Sequence, residues 1–175
     1  MDILSPFQIA LSLLVSFEPE LMGIIGLSLG VSLTAVGISL VIGLPLGALL
    51  AAYRFPGRGA IIVISNTFLG MPPVVVGLVI YLLVSRAGPF GFLGILYTPA
   101  AMMLAQTILV LPIAIALSRQ VFEALNAEYA PLFRSIGLSQ FRWIASLVSE
   151  ARISLITIGL ACFGRAISEV GAVMI

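Results

Sequence analysis

The chain has 175 residues, of which 61% are hydrophobic and 9% charged, whereas about 25% of the residues in an ordinary soluble domain are charged. Because so few polar side chains cannot cover the surface of a soluble fold, the composition excludes a soluble globular protein. All eight basic residues are arginine and the net charge is +1, so we expect no nucleic-acid partner. With one cysteine and no histidine, the chain offers no disulfide framework and no zinc or haem ligands, and we expect no metal or cofactor.

The first predicted element is an amino-terminal segment, residues 1–20. Its apolar part, residues 3–17, is too short to cross a bilayer comfortably, since a span needs roughly 20 apolar residues. It also lacks the basic start of a cleaved signal peptide. We therefore expect a helix that lies in the membrane interface against the rest of the protein.

Four long apolar stretches follow, and the first three contain no charged residue at all. Each is long enough to cross the membrane once. The predicted helices lie near residues 22–52, 60–84, 98–118 and 153–175. Thr98 supplies an N-cap and Pro99 a first-turn proline for the third helix. The fold class predicted for residues 21–175 is therefore all-α, a polytopic transmembrane helix bundle. Because the chain stops at Ile175 inside an apolar run, we expect a further helix beyond it.

The arginines predict the orientation, because loops rich in Lys and Arg stay in the cytoplasm. Arg54 and Arg58 separate the first two helices, and four more arginines lie in the long loop 119–152. The opposite side has only Arg86 and an acidic amino-terminal segment. We therefore expect the amino terminus outside and the loop 119–152 in the cytoplasm.

Two consecutive prolines, Pro72 and Pro73, stand in the middle of the predicted second helix. Each removes a backbone donor and frees carbonyls of the preceding turn. In hydrocarbon such carbonyls need a neighbouring helix or a water-lined path. The prolines therefore indicate either a packing kink or a break that lines a pathway, and the residues alone leave both open.

The loop 119–152 carries most of the charges and is expected to form short amphipathic helices. Ala130, Phe133 and Ile136 are three residues apart and are predicted to share one face. Gly137 is predicted to stop a helix and Ser139 to cap the next one. Such a helix would either lie on the bilayer surface or dock into a cytoplasmic partner.

The fourth apolar stretch contains Arg165 and Glu169, which lie one helical turn apart. A charge near the bilayer centre costs roughly 2.5–3.5 kcal/mol on insertion scales, so an intramembrane pair needs a reason. The two residues are expected to pair with each other or to bridge to another subunit. The alternative is an arginine that faces an anion pathway.

Three blocks of the sequence resemble the permease subunits of ATP-binding-cassette importers for oxyanions, the molybdate, tungstate and sulfate group. They are MPPVVVGL at 71–78, RSIGLSQFRW at 134–143 and GRAISEVGAVMI at 164–175. The last block is the most specific of the three, and its sequence is most similar to that of tungstate permeases. The similarity extends from about residue 21 to the end of the chain.

The sequence departs from the family in the loop. The family's Glu-Ala-Ala triplet would fall on Pro131-Leu132-Phe133, and the nearest glutamates, Glu123 and Glu128, are out of register. In the family this loop contacts the ATPase. We then expect the loop of this chain to do so through its shape, a short helix followed by Gly137 and another helix, and not through the family's salt-bridge chemistry.

The resemblance implies a non-enzymatic permease in the cell membrane of a prokaryote, which carries an oxyanion, with tungstate first and molybdate or sulfate next. The implied partners are a cytoplasmic ATPase dimer that hydrolyses ATP, a solute-binding protein outside, a second permease copy and the lipid bilayer. By this resemblance, the residues expected to contact the ATPase are Glu128, Ala130, Phe133, Arg134, Ile136 and Gly137. Those expected to line a path or gate are Pro72, Pro73, Arg165 and Glu169.

Other kinds of membrane protein remain as alternatives: a permease for another small solute, a self-contained channel or half of a secondary transporter, or a structural subunit. Channels and secondary transporters usually need ion-coordinating or proton-relay groups inside the membrane. Only Arg165 and Glu169 qualify in this chain.

Overall fold

The computed structural model describes residues 18–137 and 139–168. Within these ranges the chain forms α-helices and one short 3-10 turn, with no β-strand. The helices are α1 (Pro19–Ala52), α2 (Arg58–Leu69), α3 (Pro73–Val84), α4 (Pro99–Ser135), α5 (Gln140–Glu150) and α6 (Arg152–Ser168), and the 3-10 turn is Gly91–Leu93. The predicted all-α, polytopic fold is confirmed.

Helices α1 and α4 are long and apolar enough to cross a membrane alone. With 34 and 37 residues they are about 51 and 55 Å long at 1.5 Å per residue, so both extend beyond a hydrocarbon core of about 30 Å. Two bent pairs also qualify if each pair is one span: α2 with α3, and residues 142–150 of α5 with α6. The described residues thus provide two to four spans.

The structure corrects the single helix predicted near 60–84, because α2 and α3 are separate helices that meet at 108°. Helix α2 ends at Leu69, and Pro72 adopts an extended backbone conformation before Pro73 opens α3. A residue before proline is pushed out of the helical region, and neither proline can donate the hydrogen bond that would continue α2. Hydrophobicity predicted one crossing, but the two prolines turn the chain sharply.

The structure also corrects the boundary between the third predicted helix, 98–118, and the loop 119–152. The start is as predicted, with Thr98 at the N-cap and Pro99 in the first turn, although the Thr98 hydroxyl donates to Ile95 O instead of capping α4. The end is wrong, because α4 continues without interruption to Ser135. Charge alone does not end a helix: Arg119 and Glu123 are one turn apart and stabilise it by pairing.

The chain termini lie partly outside the described residues. This applies to residues 1–17 of the predicted interfacial segment, whereas Pro19 and Glu20 already belong to the first turn of α1. At the other end, α6 begins one residue before the predicted 153 and is described as far as Ser168.

The centre of the fold is a close approach of α1 and α4. The two helices run in the same direction, since Ser39 Oγ lies 3.4 Å from Thr107 O and, further along both helices, the Ser118 hydroxyl donates to Gly43 O at 3.3 Å. A β-carbon at Gly47 would overlap Ser118 Oγ and lie 2.9 Å from Arg119 N. Small residues of this kind let helix backbones approach closely in a membrane.

The remaining helices pack on successive faces of α4. Helix α6 closes a core with α1 and α4 that consists of Val36, Val110, Ala114, Ile158, Cys162 and Ala166. Helix α3 packs on the neighbouring face of α4 in a core of Val76, Ile80, Val84, Ala105 and Leu109. Large apolar side chains also point outward, such as Val41 and Ile153, which are 75% and 72% exposed. Such an apolar exterior suits lipid and would be costly in water.

We expect Gly47→Ala to lower the free energy of unfolding by about 1–3 kcal/mol, the usual cost of overpacking a filled core. The added methyl group would overlap the Ser118 side chain and force α1 away from α4. Thermal unfolding of the purified permease in detergent measures this change. The matched control is Gly37→Ala on the same helix, because a β-carbon at Gly37 meets no atom within 4 Å. Equal melting temperatures for both variants would contradict the packing argument.

Candidate functional site

Five of the eight arginines lie at one end of the bundle, which we call the basic end. It comprises the last turns of α1, the start of α2, the second half of α4, and α5. Its arginines are Arg54, Arg58, Arg119, Arg134 and Arg142. This is the end that the sequence assigns to the cytoplasm.

A carboxylate shared by two arginines ties three helices together at the basic end. Glu123 on α4 pairs with Arg58 at the start of α2 and, through its other oxygen, with Arg119 Nη1 at 2.6 Å. Arg58 Nε also donates to Leu50 O near the end of α1, at 2.6 Å. The arrangement therefore fixes the chain reversal between α1 and α2 against the side of α4.

Glu123 is not among the predicted site residues, because it lies out of register with the family's Glu-Ala-Ala triplet. The spacing Arg119–Glu123 was the available signal, since residues four apart on a helix are neighbours. The pairing with Arg58 joins residues 65 positions apart, and nothing local in the sequence indicates it.

A small aromatic core joins α4 to α5. Phe133 lies between Tyr129, with ring centroids 5.7 Å apart, and Trp143, with centroids 5.2 Å apart in an edge-on arrangement. Trp143 Nε1 donates to Asn126 Oδ1 at 2.8 Å. Phe122 is fully buried in the same cluster. These contacts hold α5 rigidly on the end of α4.

The structure corrects the shared face predicted for Ala130, Phe133 and Ile136. Phe133 is 8% exposed and Ile136 62% exposed, while Ala130 is half-buried. Two steps of three residues rotate a side chain by about 120° around a helix of 3.6 residues per turn, so the first and last residues cannot face the same way. Phe133 supports α5 from inside, and its ring is not part of the outer surface.

The described residues of the turn between α4 and α5, 136, 137 and 139, are exposed. Gly137 follows the last turn of α4 with φ +63°, a left-handed conformation that favours glycine. Ser139 stands at the predicted N-cap position, where its carbonyl accepts the Trp143 N–H, but its hydroxyl makes no capping bond. Glu128 and Arg134, two of the residues expected to contact the ATPase, are exposed near this turn.

The predicted path residues are distributed over two neighbouring faces of α4. Pro72 and Pro73 lead into α3, which packs on Ala105 and Leu109. At the bend, Gly70 N–H and Met71 N–H donate to Thr67 O and Phe68 O, both at 3.2 Å, so part of the freed backbone is satisfied locally.

Helix α6 lies on the other of these two faces, and its described part carries Arg165 of the predicted path. Arg165 is half-buried near the end of the described part of α6, whereas Glu169 lies outside the described residues. The predicted pairing of these two residues therefore remains a prediction.

A buried amide close to Arg165 was missed by the sequence analysis. Gln106 on α4 is 1% exposed, and its Nε2 lies 3.4 Å from Ala166 O, next to Arg165 in the chain. Its Oε1 and the buried hydroxyl of Ser32 have no hydrogen-bond partner within the described chain. A lone amide inside a long uncharged stretch was the signal, because a buried polar group in a membrane needs a reason.

Glu123→Gln is expected to destabilise the permease by about 1 kcal/mol, near the upper end for partly exposed ion pairs. The substitution leaves Arg58 and Arg119 facing each other without the carboxylate. Thermal unfolding of the purified permease measures the loss, and Glu128→Gln on the same helix is the control, since Glu128 makes no ion pair among the described residues. If both variants melt alike, Glu123 does not fasten the helices.

Comparison with known proteins identifies the family. Residues 43–170 match the model of the binding-protein-dependent transport system inner membrane component. The chain is 37% identical over 169 residues to the tungstate uptake system permease protein TupB of Peptoclostridium acidaminophilum, covering 97% of this chain and 74% of that protein. It is 39% identical over 155 residues to a probable anion ABC transporter permease protein of Haloferax volcanii, covering 89% and 67%.

A more distant relative is the molybdenum transport system permease protein ModB of Escherichia coli K12, which is 28% identical over 166 residues, covering 89% of this chain and 71% of that protein. Together with the all-α, apolar architecture, these matches identify a multi-pass transport component without an enzymatic role of its own. The chain belongs to the family of inner membrane components of binding-protein-dependent transport systems.

Proposed function

We propose that this chain is the permease subunit of an ATP-driven importer for an oxyanion, with tungstate as the first substrate and molybdate or sulfate next. The proposal rests on the family membership and on the names of the relatives, which are permeases for tungstate, molybdenum and anions. A solute-binding protein would deliver the anion, and two ATPase subunits would drive a pair of permease copies. ATP hydrolysis belongs to the ATPase partner.

The observation that carries the coupling part of this proposal is the exposed turn at Gly137 on the end of α4. A partner that grips this turn would move α4, because the aromatic core around Phe133 makes α5 and the end of α4 one body. Helix α4 is continuous from Pro99 to Ser135, so a displacement at the turn would reach α3 and α6, which pack near its other end.

The orientation follows from the arginines of the basic end, which we place in the cytoplasm by the positive-inside rule. The beginning of α1 is then outside. This orientation puts the Gly137 turn where a cytoplasmic ATPase can reach it. The residues proposed to contact the ATPase directly are Glu128, Arg134 and Ile136, all of which are exposed, while Phe133 would act by holding α5 in place.

The proposed path runs beside α6 and the bend between α2 and α3. Arg165 supplies a cation on α6, and an oxyanion that passes it would gain charge-assisted hydrogen bonds. Gln106 holds the α6 backbone beside it, at Ala166 O. The bend at Pro72 and Pro73 provides a non-helical segment, which at membrane depth is tolerated only within protein or along a water-filled cavity.

Gly137→Val tests the coupling turn. A β-branched residue at φ +63° is strained by about 1–2 kcal/mol, so the turn should change shape and substrate-stimulated ATP hydrolysis should fall about tenfold. Hydrolysis is measured in proteoliposomes that contain the whole transporter and its binding protein. The matched variant Gly137→Asn should stay close to wild type, because asparagine tolerates this backbone conformation. Unchanged hydrolysis and unchanged ATPase association in Gly137→Val would refute the assignment.

Arg165→Gln tests the proposed path. It should lower tungstate uptake about tenfold or more, since a hydrogen bond to a charged group contributes about 1.5–3 kcal/mol, while Arg165→Lys keeps the charge and should retain part of the uptake. Uptake of tungstate, molybdate and sulfate is measured in the same proteoliposomes. Normal uptake by Arg165→Gln would return Arg165 to a structural role, and a wild-type transporter that carries none of the three anions would refute the substrate.

A further inference from the structure

An open apolar groove lies at the basic end, between the last turns of α1 and the start of α2. Its volume is about 360 Å³. Leu46 and Leu49 of α1, Phe55 of the connection and Ile61 of α2 form its walls, and each of these side chains is between 40% and 46% exposed. The groove continues the outward apolar face of α1 and is therefore open to whatever surrounds the bundle.

An unneutralised cation stands at the rim of this groove. Arg54 is exposed and makes no hydrogen bond or ion pair with any residue that the structure describes. Among the described residues, no aspartate or glutamate lines the groove. By contrast, Arg58, four residues later, forms an ion pair with Glu123.

The position of the groove at the end of the apolar part of α1 indicates which kind of molecule can fill it. Tyr53 and Arg54 follow the last turn of α1, where the apolar helix gives way to the charged end of the bundle. Aromatic and basic side chains mark the boundary between hydrocarbon and headgroups in membrane proteins. The material that covers an apolar surface at this depth is phospholipid, and the complement of an unpaired cation there is an anionic headgroup.

We propose that the groove binds an anionic phospholipid, with an acyl chain between α1 and α2 and the phosphate on Arg54. A soluble anion would contact Arg54 but leave the apolar walls exposed to water. A zwitterionic lipid would fill the groove but bring its own cation to the rim. An anionic phospholipid satisfies both parts of the site.

Native mass spectrometry of the purified transporter tests this site without measuring transport, so its outcome is independent of the proposed function. The protein is titrated with palmitoyl-oleoyl phosphatidylglycerol and with the phosphatidylcholine of the same chains. Wild type should retain phosphatidylglycerol in preference. Arg54→Gln should weaken that retention about fivefold, the effect of one charge near a membrane surface, and leave phosphatidylcholine unchanged.

The control is Arg142→Gln, which removes another exposed arginine, on α5 at the same end of the bundle, and should leave the retention of both lipids unchanged. Leu49→Trp fills the groove and should weaken retention of both lipids, while the melting temperature shows that each variant is folded. Equal retention of phosphatidylglycerol by wild type and Arg54→Gln would overturn the proposal. Equally tight binding of free glycerol phosphate, or a complex that retains no lipid, would also overturn it.

Discussion

The contact between α1 and α4 sets the distances on which the rest of the bundle depends. At Gly43 a β-carbon would lie 2.7 Å from that of Ala114, and at Gly47 it would overlap the Ser118 hydroxyl. In a bilayer there is no hydrophobic force between helices, so association relies on close packing and hydrogen bonds. The approach also places the end of α1 beside Glu123, close enough for Arg58 to contact both. A larger residue at either glycine would therefore disturb the packing and the ionic contacts together.

Because α1, α3 and α6 all pack on α4, this helix connects parts of the chain that do not otherwise share a core. Ala105 faces α3, Val110 faces α1 and α6, and Phe133 anchors α5. Because the side chains around α4 are closely packed, the helix moves as a rigid unit more easily than it deforms locally. A force at the turn after α4 would then be transmitted along one continuous helix to α3 and α6. This geometry gives the proposed coupling a mechanical basis.

The sequence predicted those features that depend on local backbone chemistry. Pro99 opens α4, and Gly137 ends it in the left-handed conformation that glycine favours. The angle at Pro73 could not be predicted, because prolines show that a helix is interrupted and not where the next one goes. The charged residues after position 118 predict a loop, but α4 continues through them because Arg119 and Glu123 pair along the helix. Glu123 was missed for a related reason: its second partner lies far away in the sequence and meets it only after folding.

The arginines of the basic end fall into two groups, and the distinction depends on the availability of a single acid. Arg58 and Arg119 share Glu123 and hold helices together. Arg54, Arg134 and Arg142 are exposed and have no acidic partner among the described residues, so their charges remain available to molecules outside the chain. Arg54 stands over an apolar groove and suits a lipid phosphate, whereas Arg134 stands beside the exposed turn and suits a protein partner. The position of Glu123 on α4 thus decides which arginines hold helices together and which stay exposed.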